Sequence, residues 1–253
     1  MKKVFVCWDS KVTAAEVEAI ANGVRQMSTL CYDREFVVYG GESWSDGEYS
    51  SGRWYVDHAR KTDDGKLDAS SLIELYKARP LLEDDPYVGI YFTVEEMVSA
   101  DGSECFDLND VQAGVAVQSV ARFRQLSAYE EKLCLERVFR HELGHLLNMA
   151  AHGRHNGHCA KAGCTMRTGK DVGEWIKFAL EENRFSSKFC PQCLTDLRRY
   201  ESRLKGTSKH KDQYKDQHKN QQFGVGAKGR LAGNRPALNT RYKADRPSAK
   251  MRR

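Results

Sequence analysis

Leu133-Cys134-Leu135-Glu136-Arg137-Val138-Phe139-Arg140-His141-Glu142-Leu143-Gly144-His145-Leu146-Leu147 is the stretch that decides how this chain reads. Its apolar residues recur at helical spacing, which predicts an amphipathic helix. Cys134, Val138, His141 and His145 follow one another at i, i+4, i+7 and i+11, so the two histidines continue the inward-facing stripe. In a helix, residues four apart lie about 40° apart around the axis and ~6 Å along it. His141 and His145 can therefore offer both imidazoles to one cation from the same face. Glu142, turned by about 100° from His141, then stands beside a water that the cation activates. Two imidazoles buried side by side with nothing between them would be costly. The residues predict a metal site on a buried helix, in an arrangement suited to metal-assisted hydrolysis.

The elements around this helix give the fold class. Residues 3–8 read as a buried strand, 13–27 as an amphipathic helix and 36–39 as a second strand stopped by Gly40-Gly41. Residues 42–66, rich in Ser, Asp, Gly and aromatics, read as a long loop or irregular hairpin around Trp54-Tyr55-Val56. A helix is expected over 67–79, ending before Pro80, and a strong buried strand over 87–92. Residues 111–123 alternate small, apolar and polar side chains and read as one extended strand leading into the helix of the pentad. Helices are expected again over 171–182 and 194–204. Strands alternating with helices predict an α+β arrangement, a mixed sheet with helices packed on it. No internal repeat is present.

The chain has 253 residues and a net charge of +5, unevenly spread. Residues 201–253 hold eight Lys and seven Arg against Glu201, Asp212, Asp216 and Asp245, a net +11, which leaves −6 for the first 200. Beyond about Gly206 apolar residues are too sparse to bury anything, so 206–253 read as a disordered basic tail and 1–205 as the folded domain. Tail charge of this kind supports non-specific phosphate or acidic-partner contact. No run approaches the ~20 apolar residues of a membrane span. Asp9 interrupts the first apolar run too early for a signal peptide. An intracellular, cytoplasmic location is expected, where eight cysteines point to metal ligation rather than to disulfides.

Four of those cysteines are grouped. Cys159-x4-Cys164 followed by Cys190-x2-Cys193 has the two-plus-two form of a four-thiolate zinc site, with Pro191-Gln192 forming the tight turn between the last pair. Cys7, Cys31, Cys105 and Cys134 have no such pairing and are read as core residues.

Taken together, His141-Glu142-x-x-His145, His158-Cys159-x4-Cys164-x-Met166 and Cys190-x-x-Cys193 resemble the archaemetzincin group of metzincin zinc peptidases. The matching positions cover about residues 135–194. The resemblance implies a metzincin-like twisted mixed sheet with an active-site helix and a Cys-rich, zinc-bound C-terminal subregion. It implies two zinc ions per chain: a catalytic one on His141, His145 and a third histidine, and a structural one on Cys159, Cys164, Cys190 and Cys193. Glu142 would be the general base and Met166 the methionine of the turn beneath the metal.

One departure from the family pattern stands out. The family helix ends at a Gly three residues after the second His, and the third ligand follows three residues later; those positions here are Asn148 and Ala151. Asn can take the left-handed conformation that ends a helix, but Ala151 cannot bind metal. The third ligand must then be His152, His155 or His158. On a continuing helix His152 would lie ~10 Å beyond His145, so the chain has to reverse, which Gly153 and Gly157 favour. His158 directly precedes Cys159, as the family's third ligand precedes its first thiolate, and is the leading choice. The expected function is a zinc-dependent endopeptidase acting on peptide or protein substrates, with segment 111–122 as a candidate edge strand for the peptide. The alternative is a weak or inactive zinc-stabilised binding module that uses the basic tail to reach nucleic acid.

Overall fold

A computed structural model describes residues 3–31, 34–38, 52–78, 87–153 and 157–204. The chain divides into two units, Met1–Gly206 and Thr207–Arg253, and every described residue lies in the first. The expected disordered tail, residues 42–51 of the expected loop, Tyr39, Arg79 and His155 lie outside the described residues.

In chain order the elements are β1 (Lys3–Trp8), α1 (Ala14–Ser28), β2 (Glu35–Val38), α2 (Trp54–His58), β3 (Leu67–Asp68), α3 (Ala69–Lys77), β4 (Tyr87–Thr93), β5 (Met97–Val98), β6 (Glu104–Cys105), β7 (Asp107–Asp110), β8 (Val115–Ser119), α4 (Ala128–Leu146) and α5 (Val172–Asn183). A last helix, α6, covers 191–204. Five strands form the main sheet in the order β2-β1-β4-β8-β7, and a small sheet runs β3-β5-β6. The first four strands of the main sheet are parallel, and β7 runs antiparallel to β8 along the open edge. The sheet is mixed, as expected.

Strands covered on both faces read as near-continuous apolar runs, and β1, β4 and β8 do. On one face Val4, Val6, Val88, Ile90, Phe92 and Ala116 pack with Ile20 and Met27 of α1 and Leu135, Val138 and Phe139 of α4. On the other, Tyr91, Val115 and Val117 pack with Tyr55 of α2 and Leu72 and Tyr76 of α3. The site helix is therefore seated in the larger core, against the centre of the sheet.

Three sequence expectations need correction. Residues 111–123 are not one strand. The strand is Val115–Ser119, paired Asp107↔Gln118 through Asp110↔Val115 with a preceding strand across a tight turn. Asp110 closes that turn: its carbonyl accepts the Gly114 N–H at 2.8 Å and its carboxylate the Ala113 N–H at 2.9 Å. After Ser119 the chain enters a 3-10 turn, Ala121–Gln125. Gln112, Ala113 and Gly114 mimic strand alternation within a turn, so the sheet edge belongs to β7. Second, the expected loop contains α2, only five residues long, too short for periodicity to reveal. Third, the helix expected from residue 67 starts at Ala69, because Asp68 caps it by accepting the Ser70 and Ser71 N–H groups at 2.9 and 3.1 Å. Of the four cysteines outside the two close pairs, Cys7, Cys31 and Cys134 are buried, while Cys105 on β6 is only half-buried.

Candidate active site and a second candidate metal centre

Helix α4 is defined at both ends by side-chain chemistry. Ser127 and Glu130 form a reciprocal capping box at its start. At its end Asn148 takes φ +56°, the sole positive value for a residue other than glycine among the described residues. Asn148 N–H donates to the His145 carbonyl and Met149 N–H to the Gly144 carbonyl, both at 2.9 Å, which is the Schellman arrangement with Asn in the left-handed position. The helix thus stops one turn after His145 and the chain turns back, although the family's glycine is missing.

The return brings His158 to the helix. His145 Nε2 lies 3.0 Å from His141 Nε2 and 3.1 Å from His158 Nε2, and the three residues form one group of converging ligand nitrogens. Gly153 makes this approach possible: a Cβ there would stand 2.2 Å from the His158 carbonyl oxygen, which is backbone and cannot yield. Two glycine-dependent contacts shape the site, and the second is Gly144, whose missing Cβ leaves room for the Met166 sulfur. Met166 is fully buried beneath the helix, and its carbonyl accepts the Cys159 N–H at 2.9 Å, joining that turn to the segment that carries His158 and Cys159.

His141 and His145 are set up as neutral donors. His141 Nδ1–H donates to the Thr165 carbonyl at 2.8 Å, which leaves Nε2 with its lone pair directed at the other two rings. Burial, then the neighbouring His145 and Arg137, holds the His141 pKa well below its ordinary value. Burial and His158 push His145 down to about 4. Zn–N bonds of 2.0–2.1 Å in a tetrahedron require nitrogens about 3.3 Å apart, close to the 3.0 and 3.1 Å found. The three residues fit a zinc ion.

Glu142 is fully buried, and neither carboxylate oxygen completes a hydrogen bond of ordinary geometry. Burial and then the Asp107 carboxylate raise its pKa well above the usual range, while the Asn109 side chain draws it down. Asp107 itself is raised to about 6 by burial. Both neighbours come from β7. Ser119 N–H donates to the Phe106 carbonyl at 2.8 Å, so by the alternation of an antiparallel ladder the backbone groups of Asp107 and Asn109 point away from β8, toward the open edge. The unpaired edge and the buried carboxylate thus meet at these two residues, neither of which any motif singles out.

Supporting the ligands is a buried ionic cluster. Arg137, one turn before His141, donates to the Thr165 carbonyl at 3.0 Å and to the Arg167 carbonyl, and pairs with Glu182 of α5 at 3.0 Å. Arg140 pairs with the other oxygen of Glu182 at 2.5 Å and also donates to Gln26. The Arg137 guanidinium stacks over Trp175, whose ring also meets His141 edge-on. Thr165 accepts from both Arg137 and His141, so one carbonyl fixes the Met166 turn and a metal-directed ring together.

The cysteines gather at a second point. Cys159 and Cys190 sulfurs are 3.8 Å apart, and Cys164 and Cys193 sulfurs 3.6 Å. Tetrahedral zinc with Zn–S bonds of about 2.3 Å needs sulfurs about 3.8 Å apart. Backbone N–H groups of Cys190 and Lys161 point at the Cys164 and Cys159 sulfurs. The hydrogen bond with Cys193, ahead of the opposing effect of burial, brings the Cys164 thiol down to about 5. Among the alternatives for the third imidazole, His152 lies not with His141 and His145 but beside these cysteines, bonded to Asp196.

No protein-family model matches the chain, and no curated protein matches it in sequence. Solved structures do match it in fold. The archaemetzincin of Methanopyrus kandleri superposes with a TM-score of 0.58 at 16% identity, covering 79% of this chain and 96% of that one. The zinc-dependent peptidase of Methanocorpusculum labreanum gives 0.53 at 17% identity, covering 77% and 99%. The chain therefore has an archaemetzincin-like fold, and the resemblance carried by the His and Cys motifs is matched by the architecture. Among the described residues no helix is long and apolar enough to cross a membrane.

Proposed function

We propose that the protein is a zinc-dependent peptidase, with one zinc held by His141, His145 and His158 and a second, structural zinc at Cys159, Cys164, Cys190 and Cys193. The observation that carries this reading is the convergence of three imidazoles, with His145 Nε2 3.0 Å from His141 Nε2 and 3.1 Å from His158 Nε2, beside a fully buried carboxylate. The archaemetzincin-like fold supports the same reading.

Zinc, when bound, supplies Lewis-acid chemistry: it polarises a carbonyl and lowers the pKa of water from 15.7 to about 7. The chain's own residues do the rest. A cation at the three imidazoles offsets the burial of Glu142 and favours its charged form. One oxygen of that carboxylate takes the proton of the attacking water and returns it to the leaving nitrogen. The outward backbone groups of Asp107 and Asn109 can pair with an extended peptide laid along β7, as an added strand. Burial of His141 and the Thr165 carbonyl keep the ligand rings from turning. Met166 packs under Gly144 as the floor of the site.

Incubating the zinc-loaded chain with an unfolded protein, and reading new N-termini by mass spectrometry, tests this. We expect internal cleavage that a chelator stops and added zinc restores. Cleavage that survives complete zinc removal, or none from a chain shown to hold zinc at the imidazoles, contradicts the proposal.

A further inference from the structure

The geometry points to a fifth donor at the cysteine centre: we propose that His152, held by Asp196, is an alternate zinc ligand able to take the place of Cys164. This rests on the reading of the cysteines as a zinc site, and assigns to it a residue outside the two-plus-two cysteine pattern.

A ring nitrogen of His152 and the sulfurs of Cys159, Cys190 and Cys193 all lie within 4.8 Å of one another. That is a complete Cys3His set, one of the ordinary compositions of a structural zinc site. Cys164 is outside that mutually close set but lies 3.6 Å from Cys193 and accepts the Cys190 N–H. His152 and Cys164 are thus alternative fourth members beside the other three cysteines, where a structural zinc takes four ligands.

His152 is built into this position. Asp196 Oδ2 lies 2.5 Å from His152 Nδ1 and also accepts the His152 backbone N–H at 3.0 Å. The Asp196 carboxyl is almost wholly buried, with 3% of its side chain exposed, and its nearest cation is Arg199 at 3.8 Å. A carboxylate that accepts the Nδ1–H hydrogen bond fixes the tautomer and leaves Nε2 with its lone pair, the carboxylate–histidine arrangement common behind zinc ligands. Asp196 sits three residues after Cys193 on α6, so one face of that helix presents a thiolate and the acceptor that aims the imidazole. The backbone N–H of His152 is tied as well, so the ring cannot swing away without breaking two hydrogen bonds to a buried charge. The residue that left the catalytic histidines in the lengthened loop has, in this arrangement, joined the structural centre.

Cobalt(II) titration of the full chain tests the assignment, because thiolate ligands give a near-ultraviolet charge-transfer band that the three-histidine site lacks. Zinc competition then gives the affinity at that band. Four proteins are compared: wild type, His152→Ala, Cys164→Ala and the double variant. We expect wild type and His152→Ala to bind alike, and Cys164→Ala to fold with zinc and keep a thiolate band, with its visible bands moved by the nitrogen ligand. The double variant should lose a further factor on the order of 100 in affinity, at the upper end of what second-layer groups alone contribute. A Cys164→Ala chain that neither folds nor shows the band overturns the proposal. So does a double variant that binds as well as Cys164→Ala. A wild type with no thiolate band at all sinks the cysteine centre itself, a different result from either.

Discussion

Glu142→Gln should lower peptide cleavage by about 10²–10⁴-fold, the range contributed by a general base, without lowering zinc content. The amide keeps the size of the side chain but cannot take a proton at neutral pH. Zinc should remain because the three nitrogens that fit the ion come from His141, His145 and His158. A second consequence separates this variant from a folding defect. Glu142 is fully buried and neither oxygen completes a hydrogen bond of ordinary geometry, while the Asp107 carboxylate adds like charge. Removing that charge should leave the metal-free chain at least as stable as wild type. Thermal unfolding with and without zinc, beside the cleavage rate, reads both effects. A rate within fivefold of wild type would show that some other group moves the proton.

The second large effect is expected from Glu182→Ala. Its carboxylate is the shared counter-ion of Arg137 and Arg140, whose side chains are 1% and 5% exposed. Without it, two buried guanidiniums lose their shared counter-ion, and Arg137 is left with neutral carbonyls and the Trp175 and Phe178 rings. Breaking a buried pair from one side costs about 3–5 kcal/mol. For a chain of this size that is a fall in Tm of roughly 6–20 °C. The effect should also reach the metal, because Arg137 holds the same Thr165 carbonyl that orients His141. Zinc affinity at the imidazoles should drop by about 10–100-fold, as for other groups that orient a ligand. A Tm within 2 °C of wild type would mean that the cluster relaxes into water and does not brace the turn.

Much of this was written in the local sequence. The i, i+4 histidines, the inward stripe that carries them and the two cysteine pairs are local patterns, and a helix turns them into geometry with few assumptions. Asn148 is of the same kind: its identity, one turn past His145, already allowed the left-handed stop that is found there. What escaped was set by contacts between distant segments. The Glu182 that braces α4 lies more than forty residues downstream of its arginines, and nothing in Arg137 or Arg140 separates them from surface charges on an amphipathic helix. Asp107 and Asn109 are hidden because Val111–Gly114 has a strand-like alternation while lying in the turn, which shifts the apparent edge away from β7. Spacing favours His158 over His152 without deciding between them. The separation came from Gly153, which brings residue 158 back to the helix, and from Asp196, which draws His152 toward the cysteines.

The central claim is that His158, arriving from the loop, completes a zinc site with the two helix histidines. Zinc counted per folded chain, in wild type and in His158→Ala, tests it most directly. The account predicts two ions in wild type and one in the variant, with the thiolate-bound ion retained. Two ions in His158→Ala, together with undiminished cleavage, would contradict it.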